Sequence, residues 1–312
     1  MRTAIMGAGG VGGYFGGLLT KAGEDVTFIA RGQHLRAIRR DGLRIQSPRG
    51  DFSVRAKASE DPAEVGPVDL VLFCVKGYDT VEAAMQTKPM VSTNTTVISL
   101  QNGVDKEEIL GRILGVDRIM GGLCALNAYI ESPGVITHLG LERLAFGETD
   151  GTQSERGKRI LEMLENAGIN ASLSQNILVE EWEKFAFISA VGGLCCLTRL
   201  PLGPILEFEE TRLLYINTLS EILAVGRNEG VALDDDVLQK LMRFSSGLDP
   251  DLRPSMYRDL KAEKRIEIET LNGAVVQLGR ESGTPTPTND FIYACLKVVN
   301  EVNLRRGNMT RA

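Results

Sequence analysis

Near the amino terminus, Gly7-Ala8-Gly9-Gly10-Val11-Gly12 has the spacing GxGxxG, set between a short apolar run and a helical pattern. A strand, a glycine loop and a helix in that order form a phosphate cradle. Gly7 would make the tight turn, Gly9 would let the backbone approach a pyrophosphate, and Gly12 would let the helix pack on the strand. The first amides of the helix, at Gly10 and Val11, then face the phosphates. The loop therefore points to a dinucleotide. The second apolar run, VTFIA, ends on Arg31, with no carboxylate there to accept ribose hydroxyls. A guanidinium at that point suits a 2′-phosphate, so NADP(H) is favoured over NAD(H). A surface arginine is the plainer alternative.

Two more polar loops follow apolar runs, Val75-Lys76-Gly77 and Gln101-Asn102-Gly103. Ligands bind at the carboxyl ends of strands in open α/β sheets, which makes Lys76 and Asn102 candidates, although either could be a turn residue. Hydride reduction of a ketone leaves an alkoxide that needs a proton. The chain has only two histidines, His34 and His138, so the donor falls to a lysine, a tyrosine or a carboxylic acid. Lys184, between Trp182 and Phe185 at the entry to an apolar helical stretch, is the candidate. Its ammonium is costly there unless it faces a cleft or snorkels to solvent. Downstream, Ser255 and Glu267 are twelve residues apart, so one continuous helix would put both on one face, suited to a polar ligand. A solvated helix accounts for the same charges.

The elements that must hold these residues fall into two halves. Short runs at 3–6, 25–29, 69–75 and 95–100 are apolar enough to be strands buried on both faces, and helical patterns at 10–23 and 78–86 alternate with them. That alternation specifies an α/β Rossmann sheet. Residues 42–54 read as a hairpin insertion turned at Ser47-Pro48-Arg49-Gly50. Residues 118–147 read as three antiparallel strands divided at Pro133-Gly134 and at Gly140. A helix at 153–167 and a strand at 169–174 complete the first domain, 1–174. Helical patterns alone follow, at 177–197, 207–229, 234–245, 255–281 and 288–304, giving an all-α domain over 175–312 whose tail, 304–312, is expected to fray.

Bulk properties narrow the function classes. A formal net charge of −6 argues against nucleic-acid binding. The five cysteines lack CxxC spacing and read as reduced, buried thiols, with Cys195 and Cys196 filling a helix core. No cluster has metal-ligand spacing, so no metal is expected. No leader pattern and no run of about 20 apolar residues is present, which suggests a cytoplasmic chain without a membrane partner.

Taken in order, GAGGVG, the Ala30-Arg31 pair, VKGYDT, LQNGV, EEWEKF, PSMYRDL with RIEIETLNG, and GTPTP resemble the ketopantoate reductase (2-dehydropantoate 2-reductase) family over nearly the whole length. The resemblance implies a Rossmann domain joined to a helical domain like that of 6-phosphogluconate dehydrogenases, and reduction of a 2-oxo acid by NADPH. It assigns Lys184 as general acid, Glu267 as the carboxylate near the substrate hydroxyls, and Ser255 and Asn102 as substrate contacts. Asn102 also lies beside the nicotinamide, Lys76 beside its ribose, and Arg31 at the 2′-phosphate. One departure stands out. Where the family carries asparagines four and eight residues after the lysine, this chain has Ile188 and Gly192. The implied reaction is ketopantoate to pantoate, in pantothenate biosynthesis. Its alternatives are a paralogue acting on another branched 2-oxo acid, or a non-catalytic NADP-binding regulator that would have no reason to keep both Lys184 and Glu267. A homodimer is left open.

Overall fold

The structure, a computed structural model, describes residues 1–309. Two compact units are formed, one from Met1–Gln101 with Asp105–Ile177, the other from Asn102–Val104 with Leu178 onward. The division thus falls a few residues beyond the expected boundary, and three residues of the first half pack with the second.

In chain order the first unit contains β1 (Arg2–Met6), α1 (Gly10–Lys21), β2 (Asp25–Ile29), α2 (Gly32–Asp41), β3 (Leu43–Gln46) and β4 (Phe52–Val54). Then come β5 (Lys57–Ser59), α3 (Pro62–Val65), β6 (Leu70–Phe73), α4 (Thr80–Thr87), β7 (Thr96–Ser99) and α5 (Lys106–Leu114). It ends with β8 (Ile119–Ser132), β9 (Val135–Gly147), α6 (Glu155–Asn166) and β10 (Ala171–Leu173). They build one ten-stranded sheet in the order β4-β3-β9-β8-β7-β6-β1-β2-β5, with β10 also on β9. From β5 to β8 the pairing is parallel.

The central strands show why their sequences are nearly all apolar. Ile5, Leu70, Leu72 and Ile98 face one layer, with Tyr14, Phe15 and Leu19 of α1. Their neighbours Ala4, Met6, Val71, Phe73 and Val97 face the other, with Ala83 and Ala84 of α4 and Leu110 and Leu114 of α5. Both faces of the pleat are covered by helices, as in a doubly wound Rossmann sheet.

The expected three-strand meander is corrected to two long strands. Pro133-Gly134 is the turn, but β9 runs on through Gly140, where the register passes from Ala128↔His138 to Leu126↔Glu142. Gly140 and Leu141 both have positive φ, 111° and 54°, so the extra residues are taken up as a bulge instead of a reversal. The hairpin at 42–54 forms as read (β3 with β4), and it joins the main sheet through β9.

The second unit is helical: α7 (Ile177–Thr198), α8 (Leu202–Glu207), α9 (Glu209–Asn228), α10 (Val237–Ser246), α11 (Ser255–Lys261), α12 (Ala274–Ser282) and α13 (Pro287–Met309). Helix α7 runs through the core, with Phe185, Ala186, Ala190, Val191, Leu194, Cys195 and Cys196 all buried. Burial pushes the Cys195 thiol up to about 12 and Cys196 up as well, which suits core filling. Cys74 and Cys295, expected buried, are half-buried.

The expected helix at 207–229 forms as α9, Glu209–Asn228, and the extended backbone of Phe208 (φ −80°, ψ 133°) separates it from the short α8. Residues 255–281 fail to form one helix, so Ser255 and Glu267 do not share a helical face. After α11, Lys261 to Arg265 are five consecutive exposed residues with no apolar stripe to bury, and Glu263 takes φ 53°. The chain re-enters through a π-helical turn, Glu269–Gly273, before α12. The segment 304–309, expected to fray, continues α13 through Met309, and 310–312 lie outside the described residues.

A buried polar network fixes that π turn. The Glu221 carboxylate on α9 accepts the first amides of α13, from Thr288 and Asn289, each at 2.9 Å. The Asn289 amide nitrogen donates to Glu221 at 2.8 Å, and its oxygen accepts from Asn272 at 3.0 Å. Asn272, fully buried, lies against Gly193 of α7, where a β-carbon would come within 3.0 Å of its Oδ1.

Candidate active site

In the first unit the glycine loop has the geometry that a pyrophosphate needs. Gly7 sits at φ 100°, and its amide and that of Ala8 both donate to Ile29 O at 3.2 Å, tying the turn to β2. A β-carbon on Gly12 would stand 2.2 Å from Gly7 O and 2.7 Å from Ile5 Cγ2, so only glycine lets α1 approach β1 this closely. Around Gly9 there is nothing within 4 Å of that position, whereas a β-carbon on Gly10 would strike Ala128 O at 2.3 Å. Gly10 is therefore required for packing against β8. Helix α1 starts with neither a side-chain cap nor an acidic residue in its first turn, leaving its amides to an anion.

A cavity of about 690 Å³ opens beside this loop, lined by Gly7, Ala8, Gly9, Arg31, His34 and Ile130 among others. Val11, Gly12 and Lys76 do not line it, and neither does Gly10; Val75 does. Its size, the open face of Gly9 and the uncapped helix fit a dinucleotide. Arg31 is 71% exposed, and its guanidinium lies 3.6 Å from Asp79. The sequence put no carboxylate beside Arg31. The fold supplies one from the residue before α4, and Glu60, Asp61 and Glu82 line the same cavity.

The second unit carries the other candidate side chains, and of these Lys184 and Asn102 are brought together. Lys184, half-buried on α7, donates from Nζ to Asn102 Oδ1 at 3.1 Å across 82 residues of sequence. Because an ammonium only donates, the amide oxygen must face the lysine, and the Asn102 Nδ2 donor is turned elsewhere. The loop is held on this unit by Val104, which packs on the helical core. Glu267 is buried, two residues before the π turn, and its carbonyl accepts the Leu271 amide at 3.1 Å. Ser255 is exposed at the start of α11.

On α7, the four-residue spacing puts Ile188 and Gly192 in line with Lys184. A β-carbon on Gly192 would come within 3.1 Å of Met256 Cε and 3.9 Å of Leu271 Cδ1. Met256, next to Ser255, thus fills the space that a longer residue at 192 would use. The sequence reading missed His34, Asp79 and Met256. Only Met256 left a local sign, its position beside a candidate site residue.

The chain matches two family models, "Ketopantoate reductase PanE/ApbA" over residues 3–151 and its "C terminal" counterpart over 176–300. It is 30% identical to the 2-dehydropantoate 2-reductase of Mesorhizobium japonicum, covering 95% of this chain and 97% of that one. It is also 30% identical to the uncharacterized oxidoreductase YkpB of Bacillus subtilis, over 96% and 98%. The crystal structure of a PanE/ApbA family ketopantoate reductase from Ralstonia eutropha superposes with a TM-score of 0.90 at 34% identity, covering 97% of this chain and all of that one. No described helix is long and apolar enough to cross a membrane. The chain is an oxidoreductase of the 2-dehydropantoate 2-reductase type, with NADP(H) as cofactor, and it belongs to the ketopantoate reductase family.

Proposed function

We propose that the chain reduces a 2-oxo acid to the 2-hydroxy acid, with 2-dehydropantoate as the first substrate and pantoate as its product. The observation that carries this reading is the Lys184–Asn102 hydrogen bond, a cation held in one direction by an amide from a distant loop. NADPH, when bound, would supply the hydride for the carbonyl carbon. Lys184 gives its Nζ proton to the carbonyl oxygen as negative charge develops there, completing the hydroxyl, and is reprotonated from solvent. Asn102 holds the ammonium in place and offers its Nδ2 to the substrate carboxylate, with the Ser255 hydroxyl as a second donor. Glu267 accepts from the substrate hydroxyl. On the cofactor side, Gly7, Gly9 and the first amides of α1 at Gly10, Val11 and Gly12 serve the pyrophosphate. Arg31 serves the 2′-phosphate, and Lys76 serves the nicotinamide ribose.

The contact at Gly192 favours a second reading of the substrate. With Ile188 and Gly192 in place of asparagines, and the buried Met256 of α11 against Gly192, this part of α7 carries apolar groups instead of amides. Apolar surfaces discriminate between substrates by only a few kcal/mol, whereas sites that hydrogen-bond a hydroxyl discriminate far more. On this reading, less polar branched 2-oxo acids compete well with 2-dehydropantoate. NADPH turnover on 2-dehydropantoate, 2-oxoisovalerate and a methyl ketone lacking the carboxylate tests both readings. Turnover of the two acids with comparable kcat/KM and little on the ketone is expected. A preference of roughly 10⁴ for 2-dehydropantoate would remove the second reading, since that is the scale of hydroxyl-reading sites. Turnover of neither acid would remove the first.

A further inference from the structure

His34, one of the two histidines of the chain, lies on α2 and lines the dinucleotide cavity. Its two ring nitrogens are engaged on different elements. Nε2 is 2.8 Å from the carbonyl oxygen of Ala8, inside the glycine loop. Nδ1 is 3.0 Å from the backbone nitrogen of Gly134, in the turn between β8 and β9. A carbonyl can only accept and an amide N–H can only donate, so both bonds together select one tautomer, with the proton on Nε2 and Nδ1 bare. The ring is neutral, and burial lowers its pKa, which keeps it so.

The Ala8 end bears directly on the cradle. The described peptide bonds are trans, so the Ala8 carbonyl and the Gly9 N–H lie on opposite edges of one planar group. Fixing the carbonyl fixes the direction of the Gly9 amide, in the residue whose open side faces no other atom within 4 Å of a β-carbon position. The Gly134 end secures the hairpin. Gly134 has φ 83°, a β-carbon there would meet Ala37 of α2 at 3.0 Å, and Ile130 of the same hairpin lines the cavity.

We infer that His34 is a positioning residue for the dinucleotide, a latch that sets the Gly9 amide and holds the β8–β9 hairpin as a wall of the cofactor site. This rests on the reading of that cavity as the cofactor site. It adds to the known cradle a role for a strand hairpin distant in sequence from the glycine loop.

The test measures binding, not turnover. In His34→Ala both bonds are lost, and the dissociation constants for NADPH and NADP⁺ should rise roughly tenfold, the scale of two ordinary hydrogen bonds. Amide exchange at Gly134 should speed up in the same variant. His34→Gln, which can donate and accept over a similar reach, should recover most of the affinity. If affinity in His34→Ala stays within twofold of the native chain, the latch is wrong. It is also wrong if the Gln variant is weakened as much as the Ala variant, with both tracking lost thermal stability, because the residue is then merely structural. Should the Ala variant not fold, the native chain still decides. NADPH should slow exchange at Gly134, and no change there on saturation overturns the proposal. A native chain that fails to bind either nucleotide contradicts the cofactor reading itself, a result distinct from unchanged affinity in the variants.

Discussion

The two units carry candidate sites made of different materials. In the first, the cradle is backbone: glycines at 7, 9 and 12, a carbonyl, and amides at the start of α1, all within a few residues. In the second, the candidate chemistry is carried by side chains from separate segments, Asn102, Lys184, Ser255 and Glu267, of which Lys184 and Asn102 are hydrogen-bonded to each other. At Gly7 and Gly12 the backbone leaves no room for a β-carbon. A side-chain site tolerates changes of shape but not of proton chemistry. Substitutions should therefore fail differently in the two units.

The largest effect is expected at Lys184. Lys184→Ala should lower kcat by roughly 10² to 10⁴, the scale of general acid catalysis. The dissociation constant for NADPH should stay within a factor of two. Stopped-flow turnover with a fluorescence titration of NADPH separates the two quantities, and near-normal kcat would move the proton donor to another group.

Next is Gly12→Ala, the corresponding break in the backbone cradle. The added β-carbon would lie 2.2 Å from Gly7 O, so the loop or α1 must shift, at a cost of about 1–3 kcal/mol. Both stability and NADPH affinity should fall in urea melts and binding titrations. Loss of neither would mean that α1 has room the present packing does not show.

A smaller effect is expected at Arg31. NADPH should bind at least roughly tenfold tighter than NADH, and Arg31→Asp should remove that preference. Because Asp79 stands 3.6 Å from the guanidinium, Asp79→Asn should widen the preference by a few-fold. An unchanged ratio in Asp79→Asn would mean that Arg31 leaves its partner at no cost when the cofactor binds.

The smallest effect is a pH dependence. The His34 imidazole should titrate below its ordinary 6.5, because burial disfavours the cation and a protonated Nδ1 could not accept from Gly134. The neutral form belongs to the folded state. Its contribution to stability is complete above the unfolded value and declines as pH falls from about 6.5 toward the lowered folded value. Proton NMR of the ring checks the titration directly. Replacing His34 with Gln should flatten this part of the acid limb in thermal melts.

The contrast also explains what could be read from residues alone. The glycine spacing, the strand runs and the helical second half were legible because each depends on neighbours in sequence: Gly7 with Gly12, Ile5 with Ala4 and Met6. Arg31 was visible at the end of its strand. Its counter-charge Asp79 was not, since it lies 48 positions further along the chain and nothing local marks the pair. Gly140 looked like a turn because a glycine of positive φ serves a bulge as readily as a reversal. Ser255 and Glu267 were placed on one helix because periodicity alone does not register that Lys261 to Arg265 have no core to meet. His34 gave no signal, because its partners are main-chain atoms and carry no side-chain identity.

The three residues Asn102–Val104 have a consequence for how such a protein can be made and rearranged. During synthesis they emerge well before α7, so the amide that receives Lys184 waits on the ribosome for 82 residues until its lysine partner arrives. A gene fragment cut at the helical boundary would carry the lysine without that amide. The two halves are thus not interchangeable modules: recombination that swaps one helical domain for another must also bring a matching tripeptide from within the Rossmann half, or lose the hydrogen bond that holds Lys184.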